Sequence, residues 1–298
     1  MALTRGSASI ATHGFIPVKF SKKVAAILDN ITVFFDCVNY EWENEILDSG
    51  DIVRIREFGS ITINSYTVDN TITDQTISET VQSLVIDQQD YFSFKIDDVD
   101  VAQSDLDLFN GYEERAAVAI NDEVNGFLET GIAGGVPAGN TLGGTAIGEV
   151  LPLNPDNIYD ICVDLYEKLE TAKVFGATNQ KPWLVVPPKI KAVMKKSGLL
   201  TSGSDAGHEF TRKNVLGEFA GFEVKVDTTM DLTAATGGAD DYYQLLAGVN
   251  LGYSFAMQIS KVEQIRLTNT FADVMRGLFV YGGEAVVEEA LAKAYVKV

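Results

Sequence analysis

The densest group of side chains able to do chemistry is an acidic run, IDDVDVAQSDLD, which occupies residues 96–107. A calcium loop would place oxygen ligands at alternate positions around an obligate glycine, and this run contains no glycine. A hydrolase with paired carboxylates would need two acids facing each other across a cleft, which the sequence leaves open. The other interpretations are a solvated acidic face or a negative surface for a positively charged partner.

Other residues that carry catalysis are sparse. The two histidines, His13 and His208, lie in polar segments and are not placed as a metal-binding pair. The sequence contains no HExxH, GxSxG or CxxC motif. The glycines of GIAGGVPAGNTLGGTAIG, residues 131–148, lack the GK[ST] ending of a phosphate-binding loop, and their composition favours a flexible connection. We therefore predict no catalytic residue, no metal site and no cofactor.

The charge balance excludes other classes of function. The 298 residues include 42 acids and 23 bases, which gives a net charge of −19. Such a chain repels phosphate backbones and anionic lipid surfaces, because affinity for both comes mainly from Lys and Arg. No segment approaches the roughly 20 apolar residues that a membrane helix needs, and the N-terminus lacks the apolar core of a signal peptide. Sequence-specific nucleic-acid binding and membrane association are therefore not expected.

Two further groups have simple interpretations. Cys37 and Cys162 lie in apolar surroundings, which predicts two buried free thiols in a protein made and kept, or assembled, inside a cell. The segment 189–196 contains the one basic cluster, with lysines at 189, 191, 195 and 196. The cluster is explained by a helix with positive charge near its C-terminal end, or by contact with a nucleic acid or an acidic partner.

The elements that would position these residues begin with a β-rich stretch at residues 50–98. Isoleucine, valine, threonine and aromatic residues alternate weakly there, Gly59 interrupts the run, and residues 69–78 form a polar tip. We predict one long hairpin, with residues 81–86 and 91–96 as its return strand. A hairpin alone is marginally stable in water, and its open edge invites pairing. Since no segment of this chain is an obvious cover, a second subunit is expected to cover it.

Helices are predicted around this hairpin. The clearest runs over residues 99–130, with Asp100 as its cap, Gly131 at its end and one apolar stripe made of Val101, Leu108, Tyr112, Ala116, Ile120, Val124 and Phe127. A second helix follows Asn154-Pro155, and a third follows Pro187-Pro188. Short strands are predicted at residues 183–186, 222–226, 243–248, 262–267 and 278–281. This pattern is typical of an α+β protein with at least two lobes.

Several ordered segments resemble tailed-phage major capsid proteins. FIPVKFSKKVAAILDNITVFFDCVN, GDIVRIREFGSITINSYT and LVIDQQDYFSFKIDDVDVAQ are similar to the opening third of that family. WLVVPPKIKAVMKKSGLL, GEFAGFEVKVDTTM and RGLFVYGGEAVVEEALAKAYVKV resemble the later parts. The similarity runs from Phe15 to the C-terminus, and the order of the segments carries it rather than any one strict motif.

This resemblance implies the α+β Hong Kong 97-type capsid fold, with an N-terminal arm, an extended β-hairpin loop, a peripheral domain with a long spine helix, and an axial domain. The arm and a short helix would occupy residues 1–49 and the extended loop residues 50–82. The peripheral domain would combine residues 83–150 and 262–298, with the spine helix at 99–130. The axial domain would occupy residues 151–261.

The resemblance also implies a function. The chain would assemble as hexamers and pentamers of an icosahedral shell that encloses double-stranded DNA without reading its sequence, in a virion assembled in the bacterial host cytoplasm. A portal protein would be a partner. Since the chain begins almost at the arm, a separate scaffolding protein is expected. Some relatives join subunits covalently through a lysine of the extended loop, but no lysine occurs between Lys23 and Lys95. The shell would hold by non-covalent contacts or with a separate cement protein.

The extended loop contains two bases, Arg54 and Arg56, which share one face of the strand. We hypothesise that they meet acids of a neighbouring subunit. The predicted inter-subunit contact residues are Arg54, Arg56, Phe58, Tyr66, Asp97, Asp98, Asp100 and Asp105.

Three alternatives stay open at this point. The same fold would serve an encapsulin-like cellular compartment that holds an enzyme cargo, and neighbouring genes would distinguish it from a phage shell. A carboxylate-dependent enzyme would need an acidic pair in a cleft. A tail-tube protein would be mostly β, which the long acidic helix argues against.

Overall fold

The computed structural model describes residues 32–42, 52–58, 61–65, 74–77, 79–98, 108–146, 148–177, 181–197, 217–230, 232–233 and 241–298. Helices and strands are both present within these residues, in agreement with the predicted mixed architecture. The helices are α1 (Leu108–Gly135), α2 (Ile158–Thr171), α3 (Val174–Ala177) and α4 (Pro188–Lys196). The strands are β1 (Ile52–Phe58), β2 (Glu79–Val85), β3 (Gln88–Asp97), β4 (Thr141–Leu142), β5 (Leu151–Pro152), β6 (Trp183–Val186), β7 (Glu218–Phe219), β8 (Phe222–Val226), β9 (Tyr243–Gly248), β10 (Tyr253–Arg266), β11 (Ala272–Ala285) and β12 (Leu291–Lys297).

A seven-stranded mixed sheet forms the centre of the core. Its strand order is β4-β12-β9-β6-β8-β7, and β5 also pairs with β12. Strand β6 is buried along its whole length. Because successive side chains of a strand point to opposite faces, Leu184 and Val186 pack with α2 and α4, whereas Trp183 and Val185 pack on the side of α1. Both faces of this sheet are therefore covered by the chain's own helices.

The predictions for the middle of the chain are confirmed. The apolar stripe of α2 is buried, and its residues are Ile158, Ile161, Cys162, Leu165 and Leu169. The predicted cap at Asn154 is wrong, because the regular helix begins after Asn157. A turn precedes it, in which the carbonyl oxygen of Asn154 accepts hydrogen bonds from the backbone of Asn157 and Ile158, each at 3.2 Å. Helix α4 follows Pro187-Pro188 as expected, and β6, β8 and β9 occupy the predicted strand positions.

A three-stranded antiparallel sheet lies on the other side of α1, in the order β10-β11-β3. The prediction that residues 91–96 belong to the return strand of the N-terminal hairpin is wrong. Tyr91 pairs with Leu278 of β11, whereas β1 pairs with β2 in a separate two-stranded sheet. Alternation along a strand indicates which face is buried but not which distant strand is the partner. The predicted strands at 262–267 and 278–281 are confirmed as parts of β10 and β11.

Helix α1 has 28 residues and spans about 42 Å at 1.5 Å per residue. The predicted long helix is confirmed from Leu108 onward, whereas residues 99–107, with the predicted cap Asp100, lie outside the described residues. The predicted end at Gly131 is wrong. Ile132 is fully buried, so the apolar stripe continues beyond the glycine. Gly131 instead allows the ring of Tyr253 to approach, since a methyl group at that position would collide with it.

The segment 131–146 is not the flexible connection that its composition predicted. It completes α1, forms a 3₁₀ turn at Ala138–Asn140 and continues into β4, which pairs in parallel with β12. The side chain of Asn140 donates hydrogen bonds to the carbonyl oxygens of Glu289 and Leu291 at 2.9 and 3.0 Å. Gly143 turns the chain with a φ of 73°, a conformation that favours glycine. Glycine therefore serves turns here rather than mobility.

Some predictions are not settled by these elements. Of the N-terminal arm and short helix predicted at residues 1–49, the structure describes residues 32–42 alone. The division into domains stays a prediction, and two observations bear on its boundaries. The boundary at 261/262 falls inside β10. Strand β12, assigned to the peripheral part, pairs with β9 in the sheet of the predicted axial part.

Candidate inter-subunit surfaces

The base of the β1–β2 hairpin packs against the chain's own three-stranded sheet. Val53 and Ile55 are half-buried around the fully buried Leu84, in a cluster that includes side chains of β10 and β11. The backbones approach closely, because a methyl group on Gly282 would collide with the carbonyl oxygen of Val85. The expectation that this chain offers no cover for the hairpin is therefore wrong for its base.

Two of the predicted contact residues, Arg54 and Arg56, lie on the face of β1 opposite this cluster. Arg54 and Arg56 are both exposed, and they alternate with the half-buried Val53 and Ile55. Phe58 ends the strand, where its backbone pairs with Glu79. Tyr66 lies outside the described residues. The structure thus presents two positive charges on the solvent side of the hairpin.

Beyond its base, the hairpin exposes large apolar side chains. Every residue of 61–65 and 74–77 is exposed, and the backbone amide of Thr62 donates a hydrogen bond to the side chain of Gln75 at 2.8 Å. Ile61 is 76% exposed and Ile63 is 94% exposed. Large apolar side chains exposed close together make these residues a candidate surface for contact with another molecule. We call residues 61–65 and 74–77 the hairpin extension.

One of the predicted acids, Asp98, makes a well-defined contact inside the chain. Asp97 ends β3 opposite Ala272, and the carboxylate of Asp98 accepts two hydrogen bonds from the guanidinium of Arg266. Arg266 also bonds Asp273 at 3.2 Å. The hydrogen bonds from Arg266 lower the pKa of Asp98. Asp98 therefore already has a partner within its own chain, and an arginine of a neighbouring subunit would compete with Arg266 for the Asp98 carboxylate.

Two predicted acids, Asp100 and Asp105, lie outside the described residues. Their positions relative to Arg54 and Arg56 are therefore not tested by the structure. The contact between the arginines and a neighbour's acids stays a proposal.

Helix α1 is buried along one half only. Val124, Leu128 and Ile132 are fully buried, and Phe127 contacts the ring of Tyr281 with centroids 5.0 Å apart. In the first half, residues 111–115 are all exposed, although the ring of Tyr112 lies 5.6 Å from that of Phe94 in β3. The first half of the helix therefore offers a second surface for a neighbour.

A buried polar network that the sequence analysis missed joins three distant parts of the chain. The amide nitrogen of Asn125, in α1, donates to Asp227 at 2.8 Å and to Thr229 at 2.9 Å. Its carbonyl oxygen accepts the backbone amide of Phe34 at 3.2 Å, and Asp227 accepts that of Val33 at 3.3 Å. The network fixes the point at which the N-terminal segment reaches the body. Its sequence signal is an asparagine beside Val124 on the buried side of the helix.

The two thiols are chemically quiet. Cys37 and Cys162 are free and buried, as predicted. Burial raises the pKa of each thiol to about 12, so neither is a thiolate at neutral pH. Their role is to fill space in the two apolar clusters.

In the part of the chain that the structure describes, no group of three or more His, Cys, Asp or Glu side chains is arranged to hold a metal ion. Among the described helices, none is both long enough and apolar enough to cross a membrane. The exposed surfaces described above are the strongest candidates for function.

Comparison with known proteins identifies the fold. No protein-family model and no curated protein sequence matches the chain. A solved chain of Mycobacterium phage Che8 is 25% identical, with a TM-score of 0.76 and coverage of 95% of this chain and 98% of that one. The capsid structure of cyanophage P-SCSP1u matches at 14% identity and a TM-score of 0.70, covering 100% and 99%. The capsid of Ralstonia phage GP4 matches at 13% identity and a TM-score of 0.65, covering 98% and 99%.

These matches cover both chains almost completely, so they concern the whole architecture rather than one shared motif. The chain has the fold of phage capsid proteins, and the resemblance to tailed-phage major capsid proteins is confirmed. The comparisons give no support to the encapsulin-like alternative. Capsid neighbours point to a structural rather than an enzymatic protein.

Proposed function

We propose that this chain is the major coat protein of a tailed double-stranded DNA phage. It assembles as hexamers and pentamers into an icosahedral shell that encloses the genome in the virion. The observation that carries the proposal is the match, over nearly the whole chain, to capsid structures of several phages. The parts are those of the Hong Kong 97-type fold: an arm, an extended loop around the hairpin extension, a peripheral domain around α1 and an axial domain around the seven-stranded sheet.

The hairpin extension supports assembly as the function. Its exposed isoleucines gain nothing from this chain's core, and an uncovered strand edge favours pairing with other molecules. If the next subunit covers the hairpin extension, its isoleucines are removed from water and its strand edge is no longer open to other molecules. The exposed first half of α1 is a surface on which a neighbour's extension would lie.

The net charge suits a container. DNA binding requires bases that displace counterions, and a chain with a net charge of −19 keeps packaged DNA from adhering to the shell wall. The genome is enclosed without sequence-specific contacts. No membrane takes part in this function.

We further propose that Arg54 and Arg56 bind acids of a neighbouring subunit. Both arginines are exposed on the outer face of β1, and Asp97 and Asp98 lie at the end of β3. Because residues 24–94 contain no lysine, these contacts are non-covalent. Scaffolding, portal and cement proteins are the partners proposed for assembly in the host cytoplasm.

Electron microscopy of the purified, concentrated protein tests the proposal, with sedimentation on the same sample. Closed shells, or rings of five and six subunits, are the expected result. If the chain stays a monomer at every concentration, co-expression with the neighbouring genes tests whether assembly requires a scaffolding or portal protein. A monomer that persists with candidate scaffolding and portal proteins present would contradict the proposed function.

The arginine contact has its own test. The double variant R54E/R56E should prevent shell formation while the monomer keeps its fold, as judged by thermal unfolding. The matched control R54K/R56K retains both charges and should still assemble. Intact shells of the charge-reversed variant would exclude this contact and leave the coat function standing.

A further inference from the structure

Helix α2 presents an exposed face in which acids lie beside two apolar side chains. Tyr159 is 42% exposed and Val163 is 39% exposed, one helical turn apart and outside the buried stripe. The acids exposed on the same helix are Asp160, Asp164, Glu167 and Glu170. An apolar centre with a charged rim is typical of a protein–protein interface. We call these six residues the acidic α2 face.

Helix α4 presents the opposite charge. Four of its nine residues are lysines, and none is acidic. Lys189 and Lys196 are exposed, and Lys191 and Lys195 are half-buried. Burial and the neighbouring charge of Lys195 lower the pKa of Lys191. We call these four lysines the basic α4 face.

The two faces belong to the same layer but do not neutralise each other. Both helices pack on one side of the seven-stranded sheet, through a common cluster that contains Leu165 and Ile190. Within the described residues, no ion pair joins α2 to α4. Within the described residues, each copy of the chain therefore carries two surfaces of opposite sign that are not paired with each other.

We infer that the acidic α2 face of one copy binds the basic α4 face of the next copy. This inference rests on the proposed coat function and deepens it, because it names the surfaces that join neighbours within a ring. The two faces are different surfaces of one chain, so the contact is head-to-tail, and such contacts close into a ring when the rotation per copy permits. The basic α4 face lies on a chain with a net charge of −19, which favours this built-in acidic partner over a nucleic acid.

Charge reversal on each face tests the contact. The variant K189E/K195E/K196E carries two acidic faces, and the variant D160K/D164K/E167K carries two basic faces. Each should need a concentration more than about tenfold higher than the natural chain to form rings, because several weak attractions become repulsions. The combined six-fold variant restores complementarity at the natural net charge, and rings should return.

A mixture of the two triple variants sharpens the test. Only unlike variants then attract, so copies must alternate around a ring. Rings of six can alternate completely, whereas rings of five cannot. Electron microscopy should therefore show six-membered rings from the mixture and no five-membered rings.

The natural chain provides a test that needs no variant. Raising the salt concentration from about 50 mM to about 500 mM shortens the screening distance, so ring formation should require more protein. Rings of the natural chain that are insensitive to salt would overturn the inference, as would rings of either triple variant alone at the natural concentration. Loss of DNA retention in K189E/K195E/K196E with normal rings would assign α4 to nucleic acid instead. In each of these cases, shells formed by the natural chain would still support the coat function. If the natural chain never assembles, the coat function itself is contradicted.

Discussion

The seven-stranded sheet and the β1–β2 hairpin differ in how completely the chain buries their apolar side chains. The sheet is covered on both faces by helices of its own chain, and β6 is buried along its whole length. The hairpin is covered at its base by β10 and β11, but the hairpin extension leaves Ile61 and Ile63 in solvent. The first region completes its core within one copy, whereas the second leaves apolar side chains that another copy covers if the proposed coat function holds.

Helix α1 contains the same contrast in one element. Its second half carries the fully buried Leu128 and Ile132, whereas residues 111–115 are exposed. If the proposed assembly covers the exposed half, stability of the monomer and stability of the assembly are carried by separate residues. Substitutions should therefore separate the two properties.

The largest expected effect comes from comparing the same change, isoleucine to alanine, at one position in the core around the seven-stranded sheet and one position in the hairpin extension. Ile158→Ala removes a fully buried side chain from α2 and should lower the free energy of unfolding by about 2–5 kcal/mol. Ile63→Ala, in the hairpin extension, should change it by less than about 0.5 kcal/mol. Chemical denaturation of the unassembled chain measures both. Equal costs at the two positions would mean that the extension packs within one chain.

A smaller effect is expected in the polar network that holds the N-terminal segment. Asn125→Ala removes one of the hydrogen bonds to Asp227 and the side-chain acceptor of the Phe34 amide, and it should cost about 1–3 kcal/mol. Asn121→Ala on the exposed side of the same helix is the control, and it should be neutral or slightly stabilising. Thermal unfolding of both variants compares them. A cost at Asn125 no larger than that at Asn121 would show that the network does not stabilise the chain.

The base of the hairpin is tested by adding a single methyl group. Gly282→Ala should displace the carbonyl of Val85 and cost about 1–3 kcal/mol, because the backbones already touch. Gly134→Ala, in α1, meets no neighbouring atom within 4 Å and should stabilise the chain by up to about 1 kcal/mol. Denaturation measures the stability of each. If Gly282→Ala were neutral, the hairpin base would not be seated on β11 as described.

The smallest effect concerns the ion pair between Asp98 and Arg266. Hydrogen bonds from Arg266 lower the folded-state pKa of Asp98, so the contribution to stability is present above the unfolded pKa of about 4 and disappears as the pH falls through the folded value. Asp98→Asn should lower the melting temperature slightly at pH 7 and by less at pH 3. A difference of the same size at both pH values would exclude this linkage.

Local patterns in the sequence predicted much of this fold. The stripe of α2, the buried run of β6 and the helix after Pro187-Pro188 are short-range signals, and each is confirmed. The resemblance to capsid proteins supplied the architecture, which residue patterns alone do not specify.

The errors have a common physical cause, which is tertiary contact. Residues 91–96 pair with β11, almost 190 positions away, and the sequence of a strand does not specify which distant strand it pairs with. Gly131 reads as a helix end, but its missing side chain makes room for Tyr253. Asn125 is one polar residue on a buried side, and its partners lie near positions 34 and 227.

The central claim is that another copy covers the hairpin extension, and amide hydrogen exchange measures this most directly. Exchange at residues 61–65 and 74–77 should slow by more than about tenfold when the chain passes from monomer to shell. Exchange at 183–186 should stay slow in both states, since that strand is already covered. Unchanged exchange at the extension in intact shells would contradict the account.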